Sequence, residues 1–411
     1  MKPHPSPQRV LTLLGAGTAI SLLGDATLYA VLPNPPIAAQ AGVTMAMVGV
    51  LLGVNRGTRL LLNGPVGVLY DRLPRRRLLI TSLVLGVISS IMYAAGWGFW
   101  PWLAGRVVWG VAWSLLSIGC NAVVLDISTD ENRGRHSGQY QMWFFVGVAF
   151  SSFLGGLFTD VFGFRPGLWL DAALIGGAAL LWLFFLPETR PAQPRERPAS
   201  NPRPSFSWRI LLAVALPIFA VRFLSWGVLA ATTILWLAGL FGEGVRLSNR
   251  LIPIATLTGS FIALSTITSI SSAPIAGFLS DRLSRRWPVV AGAVLLGGAG
   301  VWLMSAKLPA LALIGGFVAP VMGGSVETLV PAVVGDRFGR AQRGRALGLV
   351  YTLADLGSTL GPPLALGLLN AGWVSLGRIY QGGAIILVGV ALFALLQVRR
   401  EGPPLVNPTS G

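Results

Sequence analysis

Ionisable side chains stand at isolated points in an otherwise apolar chain. The acids are Asp25, Glu327 and Asp355; the bases are Arg56, Arg59, Arg106 and Arg222. Each lies inside a long apolar stretch, where a charge costs at least about 2.5–3.5 kcal/mol unless it meets water or a partner. Carboxylates and guanidiniums in such places support two kinds of chemistry. A fixed ion pair ties two helices together. A pair that opens and closes exchanges protons, because a carboxylate binds a proton more tightly when desolvated and less tightly beside a guanidinium.

Asp25, in LLGDATLYAVLP, is the first candidate for proton exchange, against the alternative of a locked pair with Arg106 or Arg56. Arg56 and Arg59 are three residues apart and share a helix face flanked by Asn55 and Asn63. Two guanidiniums there make a wall suited to carboxylate or phosphate; the alternative is that Asp25 and backbone carbonyls take them up. Arg222, Glu327 and Asp355 form a second candidate cluster. Glu327 follows Met322-Gly-Gly-Ser325, small residues that permit close helix approach. It is read either as a proton or substrate-cation site or as a structural partner of Arg222.

The elements that carry these residues follow from hydropathy. The 411-residue chain is 53% hydrophobic and 11% charged, far less charged than the roughly 25% of a soluble domain. Apolar runs of about 20 residues recur along it, each enough for about 30 Å of hydrocarbon as a helix and too long for barrel strands. Twelve spans are expected, at 10–33, 43–69, 77–98, 101–126, 139–161, 166–187, 209–240, 250–279, 287–306, 308–335, 346–369 and 376–398. The fold class is therefore an all-α integral membrane protein. The first span is too long for a secretory signal and is read as uncleaved.

Residues 188–208 hold ETRPAQPRERPASNPRPSFS, a Pro/Arg/Ser-rich stretch without apolar period. It predicts an extended linker between an N-terminal six-helix bundle, 1–187, and a C-terminal one, 209–411. The halves repeat. GVLYDRLPRRR, starting at Gly67, is echoed by GFLSDRLSRR from Gly277, and Asp71 and Asp281 are 210 residues apart. The same offset relates Arg133-Gly-Arg135 to Arg343-Gly-Arg345, Asp126 to Asp336, Gly138 to Gly348 and Gly147 to Gly357. An internal duplication of six spans predicts two pseudo-symmetric bundles.

Gly67-x-Leu-x-Asp71-Arg72-x-x-Arg75-Arg76 resembles the signature between the second and third helices of the major facilitator superfamily. Arg106-x-x-x-Gly110 resembles its helix-four motif, Asp25-x-Thr27 with Leu32-Pro33 the first-helix motif of its drug:proton antiporters, and Leu186-Pro-Glu-Thr189 the sixth-helix ending of its drug-exporter branches. Pro74 stands where the loop signature has Gly. The helix-five antiporter motif is partial: Gly147, Gly155 and Gly156 fit, while Ser151 and Ser152 replace Gly-Pro; Gly357, Gly361 and Pro362 match better. The resemblance implies alternating access with a cavity between the bundles. It implies proton transfer through Arg106 alongside Asp25. From the residues themselves, Glu327 is a further candidate proton site, and Asn55, Arg56, Arg59, Arg222, Glu327 and Asp355 are candidate substrate contacts. The resemblance also implies a conformational latch of Gly67, Asp71 and Arg72 with Gly277, Asp281, Arg282 and Arg343. Gly67 is expected to admit another helix, and Asp71 to meet the start of the eleventh span. Arg75, Arg76 and Arg77 are expected to serve chiefly as a topology signal.

The net charge of +16 lies mostly on the side of both termini, which the positive-inside rule makes cytoplasmic. It is a topology signal and a contact for anionic head groups, not a nucleic-acid footprint. The lysines, Lys2 and Lys307, lie outside any phosphate-loop motif, and the histidines, His4 and His136, outside any metal-ligand pattern. No enzyme activity, cofactor or metal is expected; Cys120 is the only cysteine. The expected protein is a monomeric bacterial plasma-membrane transporter, exporting small amphipathic compounds with protons or, alternatively, moving an organic anion. A membrane sensor that kept the fold is a further alternative. Trp109 and Trp236 are candidate cavity residues, the other tryptophans mostly span-edge anchors.

Overall fold

The computed structural model describes residues 6–129, 132–189, 207–247, 250–338 and 340–398. In the first half the helices are α1 (Pro7–Ser21), α2 (Leu23–Val31), α3 (Pro35–Ala41), α4 (Met45–Arg72), α5 (Arg75–Ala95), α6 (Phe99–Asp126), α7 (Arg133–Phe162) and α8 (Phe164–Phe185). The second half has α9 (Trp208–Arg222), a π-helical segment (Phe223–Leu229) and α10 (Ala230–Phe241). Strands β1 (Gly244–Leu247) and β2 (Arg250–Pro253) follow, then α11 (Ile254–Arg282), α12 (Trp287–Leu303), α13 (Pro309–Val318), α14 (Val321–Arg337), α15 (Arg340–Asn370) and α16 (Leu376–Val398).

Among the described residues, ten helices, some built from adjoining segments, are long and apolar enough to cross a membrane. The 17-residue α12 and the 31-residue α15 occupy the two remaining predicted spans. Local chemistry sets the ends. Thr44 caps α4 by accepting the Met47 N–H at 3.3 Å. Gly163, at φ 94°, adopts the left-handed turn between α7 and α8 that a side chain would oppose. Pro320 lies at the junction of α13 and α14.

Two departures from the hydropathy reading have simple causes. The eighth span starts at Ile254, not at 250, because Arg250–Pro253 pairs antiparallel with Gly244–Leu247. Gly244 lets that hairpin close: a Cβ there would lie 2.1 Å from the Ile252 carbonyl oxygen. The first span is a near-continuous pair, α1 and α2, and a further short helix, α3, follows it.

Two compact units are present. Unit 1 comprises Met1–Pro198 and Ala230–Leu264; unit 2 comprises Ala199–Leu229 and Ser265–Gly411. Contacts thus group residues 230–264 with unit 1, although they belong to the second half of the sequence. Within unit 1, α6 packs on α4 and α5, α8 on α5 and α1, α7 on α1 and α2, and α10 on α2. Its buried core joins Leu11, Leu14, Tyr70, Leu79 and Trp182, and Trp182 donates to the Leu13 carbonyl at 2.8 Å. Within unit 2, α12 packs on α16, α13 and α14, and α15 on α9 and the π segment. Of the expected linker, Glu188, Thr189, Ser207 and Trp208 are described, while 190–206 lie outside the described residues.

Candidate functional site

In unit 1, Asp25, in the first turn of α2, receives the Arg106 guanidinium from α6 and the Asn55 amide from α4, the latter at 3.2 Å. Arg106 is fully buried. Its Nε donates to the Leu51 carbonyl at 2.8 Å, and its Nη2 has no hydrogen-bond partner among the described residues. Gly110, one turn on, allows this approach, since a Cβ there would lie 2.8 Å from the Asn55 carbonyl oxygen. The alternatives left by the sequence resolve toward the Asp25–Arg106 pair.

Arg56 takes a different place. Its Nε donates to the Tyr29 hydroxyl at 3.2 Å, and that hydroxyl donates to the Leu52 carbonyl at 2.7 Å. The Tyr29 ring lies 5.4 Å from the Arg56 guanidinium carbon and 5.6 Å from that of Arg106, within cation–π range. Tyr29 was not singled out from sequence; an aromatic four residues after Asp25 on one helix face was the available signal. Arg59 is half-buried on α4.

In unit 2, Arg222 grips Glu327 with both arms, Nε to Oε1 at 2.7 Å and Nη2 to Oε2 at 3.0 Å, and reaches Asp355 through Nη1 at 2.5 Å. The Tyr351 ring stands 5.2 Å from the guanidinium carbon. Glycines set the helices close: a Cβ at Gly324 would lie 1.8 Å from the Ser269 carbonyl oxygen. The predicted cluster of Arg222, Glu327 and Asp355 is therefore assembled.

The charges named from sequence sort by unit. Unit 1 holds Asp25 with three arginines, 56, 59 and 106; unit 2 holds Arg222 with two carboxylates.

One intramembrane acid escaped the sequence reading. Asp171, in α8, is fully buried; its Oδ2 accepts from the Thr27 hydroxyl at 2.9 Å, and its Oδ1 has no partner among the described residues. It sits seven residues into α8, which was the signal available. Asp160 on α7 was also missed. It accepts both the backbone N–H and the hydroxyl of Thr256, in the first turn of α11.

A Cβ at Gly67 or Gly277 would meet nothing within 4 Å among the described residues. Asp71, Arg72, Arg282 and Arg343 are exposed, and Arg343 donates to the Phe338 carbonyl at 3.1 Å. Arg75 and Arg76 do more than mark topology. Arg75 Nε donates to Asp126 at 3.1 Å, and the backbone N–H groups of Arg75 and Arg76 donate to the two Glu188 oxygens at 3.0 and 3.1 Å. Glu188 of the Leu-Pro-Glu-Thr ending thereby caps α5, where the helix dipole favours an anion. In unit 2, Arg286 pairs with Asp281 and, at 3.4 Å, with Asp336. Burial acts to lower the Arg286 pKa, but the bond to Asp281 and the charges of both acids outweigh it and raise it. The repeat-related acids Asp126 and Asp336 thus each hold a loop arginine. Trp109 is buried against Gly86, and Trp236 meets Phe261 edge-on, so both serve packing.

Against known proteins, the family model described as Major Facilitator Superfamily matches residues 14–270 and 254–411. The chain is 28% identical to the class C tetracycline resistance protein of Escherichia coli over 83% of this chain and 85% of that one. It is 22% identical to the inner membrane transport protein YajR of Escherichia coli (strain K12), over 99% and 86%. A solved structure of a bacterial homologue of the human lysosomal transporter Spinster superposes with TM-score 0.77 at 16% identity, covering 99% of this chain and 100% of that one. With helices that match this architecture and a family model spanning nearly its whole length, the chain belongs to the Major Facilitator Superfamily, as a multi-pass membrane protein of the secondary-transporter class.

Proposed function

We propose that the protein exports small amphipathic, drug-like compounds in exchange for protons, by alternating access. The observation that carries this reading is the pair between Asp25 and the fully buried Arg106. Arg106 has an unspent Nη2 and is anchored by Leu51, so Asp25 is the movable partner. Protonation of Asp25 would release it from Arg106, and its deprotonation would restore the pair. Glu327 is the second proposed proton site, since Arg222 faces two carboxylates. Asn55, Arg56, Arg59, Arg222 and Asp355 are the proposed substrate contacts. The substrate class is supported by similarity to tetracycline resistance proteins of bacteria.

The moving bodies are proposed to be the sequence halves 1–187 and 209–411, joined by 188–208. Gly67, Asp71, Arg72, Gly277, Asp281, Arg282 and Arg343 are proposed to control the exchange of conformations. The protein is placed, on the same footing, as a monomer in the bacterial inner membrane with both termini cytoplasmic and no nucleic-acid partner. A second reading, transport of an organic anion, is favoured by the two guanidiniums that Arg56 and Arg59 carry three residues apart on α4, a chemistry suited to carboxylate or phosphate.

Reconstitution in liposomes with an imposed pH gradient separates the two. Proton movement stimulated by cationic dyes and abolished in Asp25→Asn supports export. A response to organic anions alone, abolished in Arg56→Ala, replaces it with the second reading. Silence toward both sinks each of them.

A further inference from the structure

Asp171 differs from the other acids inside the spans. Asp25 meets Arg106 and the Asn55 amide, and Glu327 and Asp355 share Arg222. Asp171 is 0% exposed and has one partner among the described residues, the Thr27 hydroxyl on its Oδ2, while its Oδ1 meets no donor. Burying an isolated charge costs far more than burying a neutral polar group, and a single hydroxyl does not offset the difference. A protonated carboxyl needs less. It keeps one oxygen as an acceptor for Thr27 and carries its proton on the other.

The charged neighbours are occupied or distant. The elements packed on α8 are α1, α2, α5 and α7. On α2, Asp25 pairs with Arg106, and Tyr29 donates to the Leu52 carbonyl. On α7, Asp160 is held by Thr256; Arg135, His136 and Tyr140 lie in its first turns, whereas Phe158 is the residue that meets Gly167 of α8. On α5, Tyr93 stacks on Trp102. Arg165, in the first turn of α8, donates to the Ala94 and Gln40 carbonyls. Arg76 reaches the Leu183 carbonyl and Trp182 reaches Leu13, so Arg75, Arg76, Arg77 and Arg9 stand at the far end of α8.

The sequence repeat supplies a second observation. At its offset of 210 residues, position 171 corresponds to Gln381 on α16, a neutral side chain whose amide donates to the Ser305 hydroxyl at 3.3 Å. An amide presents an acceptor and a donor side by side, as a protonated carboxyl does. Thr27 is also firmly seated, since a Cβ at Gly155 would lie 2.3 Å from its Oγ1. We propose that Asp171 is a proton-binding site, a neutral acid at neutral pH with its proton on Oδ1 and its Oδ2 bonded to Thr27. A bound proton is read without transport, so this site stands or falls apart from the proposed export.

The full-length protein, reconstituted in lipid at neutral pH, would be compared with Asp171→Asn by infrared absorption. The difference should contain one carboxylic-acid carbonyl band per chain and no carboxylate band. Thr27→Val keeps the shape of the side chain and removes its donor, so it should shift that band to higher frequency without loss of area. An unaltered amide band verifies that each variant is folded. Should Asp171→Asn not fold, the Thr27→Val shift in protein with isotope-labelled aspartate carboxyls reads the same group, because Asp171 is the carboxyl that Thr27 touches. A carboxylate band in place of the acid band, or an acid band that neither variant moves, overturns the site.

Discussion

Arg222 and Glu327 face each other fork to fork, with two parallel bonds of 2.7 and 3.0 Å joining residues 105 apart in sequence. Removing Arg222 leaves two carboxylates without their shared cation. Arg222→Ala should lower stability by about 3 kcal/mol, as for other buried pairs that lose one member. Neutralising all three, as Arg222→Gln with Glu327→Gln and Asp355→Asn, should recover much of that loss. Thermal unfolding in detergent reads both, and an unshifted midpoint for Arg222→Ala contradicts the pairing.

Tyr29 links Arg56 to the backbone of α4. Tyr29→Phe keeps the ring beneath both guanidiniums and removes only the hydroxyl. The expected cost is about 1 kcal/mol for a lost hydrogen-bond relay. If Arg56 orientation matters to an anion, the apparent affinity for organic anions should also fall, which a transport assay across a concentration series measures.

Glycine substitutions should divide sharply. A Cβ at Gly156 would lie 2.2 Å from the Ala255 carbonyl oxygen, and one at Gly324 even closer to that of Ser269. Gly156→Ala and Gly324→Ala should each destabilise by about 1–3 kcal/mol through overpacking. Gly277→Ala meets open space in a helix, so it should be neutral or stabilising by up to about 1 kcal/mol. Melting curves of the three variants, run together, test the contrast.

Asp160 accepts twice from Thr256 at the start of a 29-residue helix. Asp160→Ala should cost about 1 kcal/mol through loss of the cap. Amide exchange at Thr256 should rise in that variant and stay low in Asp160→Asn, whose carboxamide oxygen still accepts. Equal exchange in all three proteins would contradict a capping role.

Much of this arrangement was legible in the sequence. Hydropathy marked each span, since a helix crossing hydrocarbon has to satisfy its backbone internally and present apolar side chains. The Arg222 cluster was readable because three charges in apolar runs need partners. The choice of Arg106 over Arg56 for Asp25 was not readable, because both lie within plausible reach and only the packing of α2, α4 and α6 decides. Asp171 was readable by the same rule, as an acid inside the sixth apolar run, but near that run's start; only the packing names its partner, Thr27, 144 residues away. Glu188 showed the reverse, a residue read as the start of a linker that instead closes a helix end.

The π-helical segment Phe223–Leu229 follows Arg222 directly, and the chain passes from unit 2 to unit 1 at its end, between Leu229 and Ala230. A π turn accommodates one residue more than an α turn. Drawing that slack out would advance the register by one residue, turning Arg222 by about 100° about the helix axis and sliding it about 1.5 Å along it. The fork that holds Glu327 and Asp355 is thus mounted on a built-in ratchet tooth, and one click of it would unseat all three bonds together.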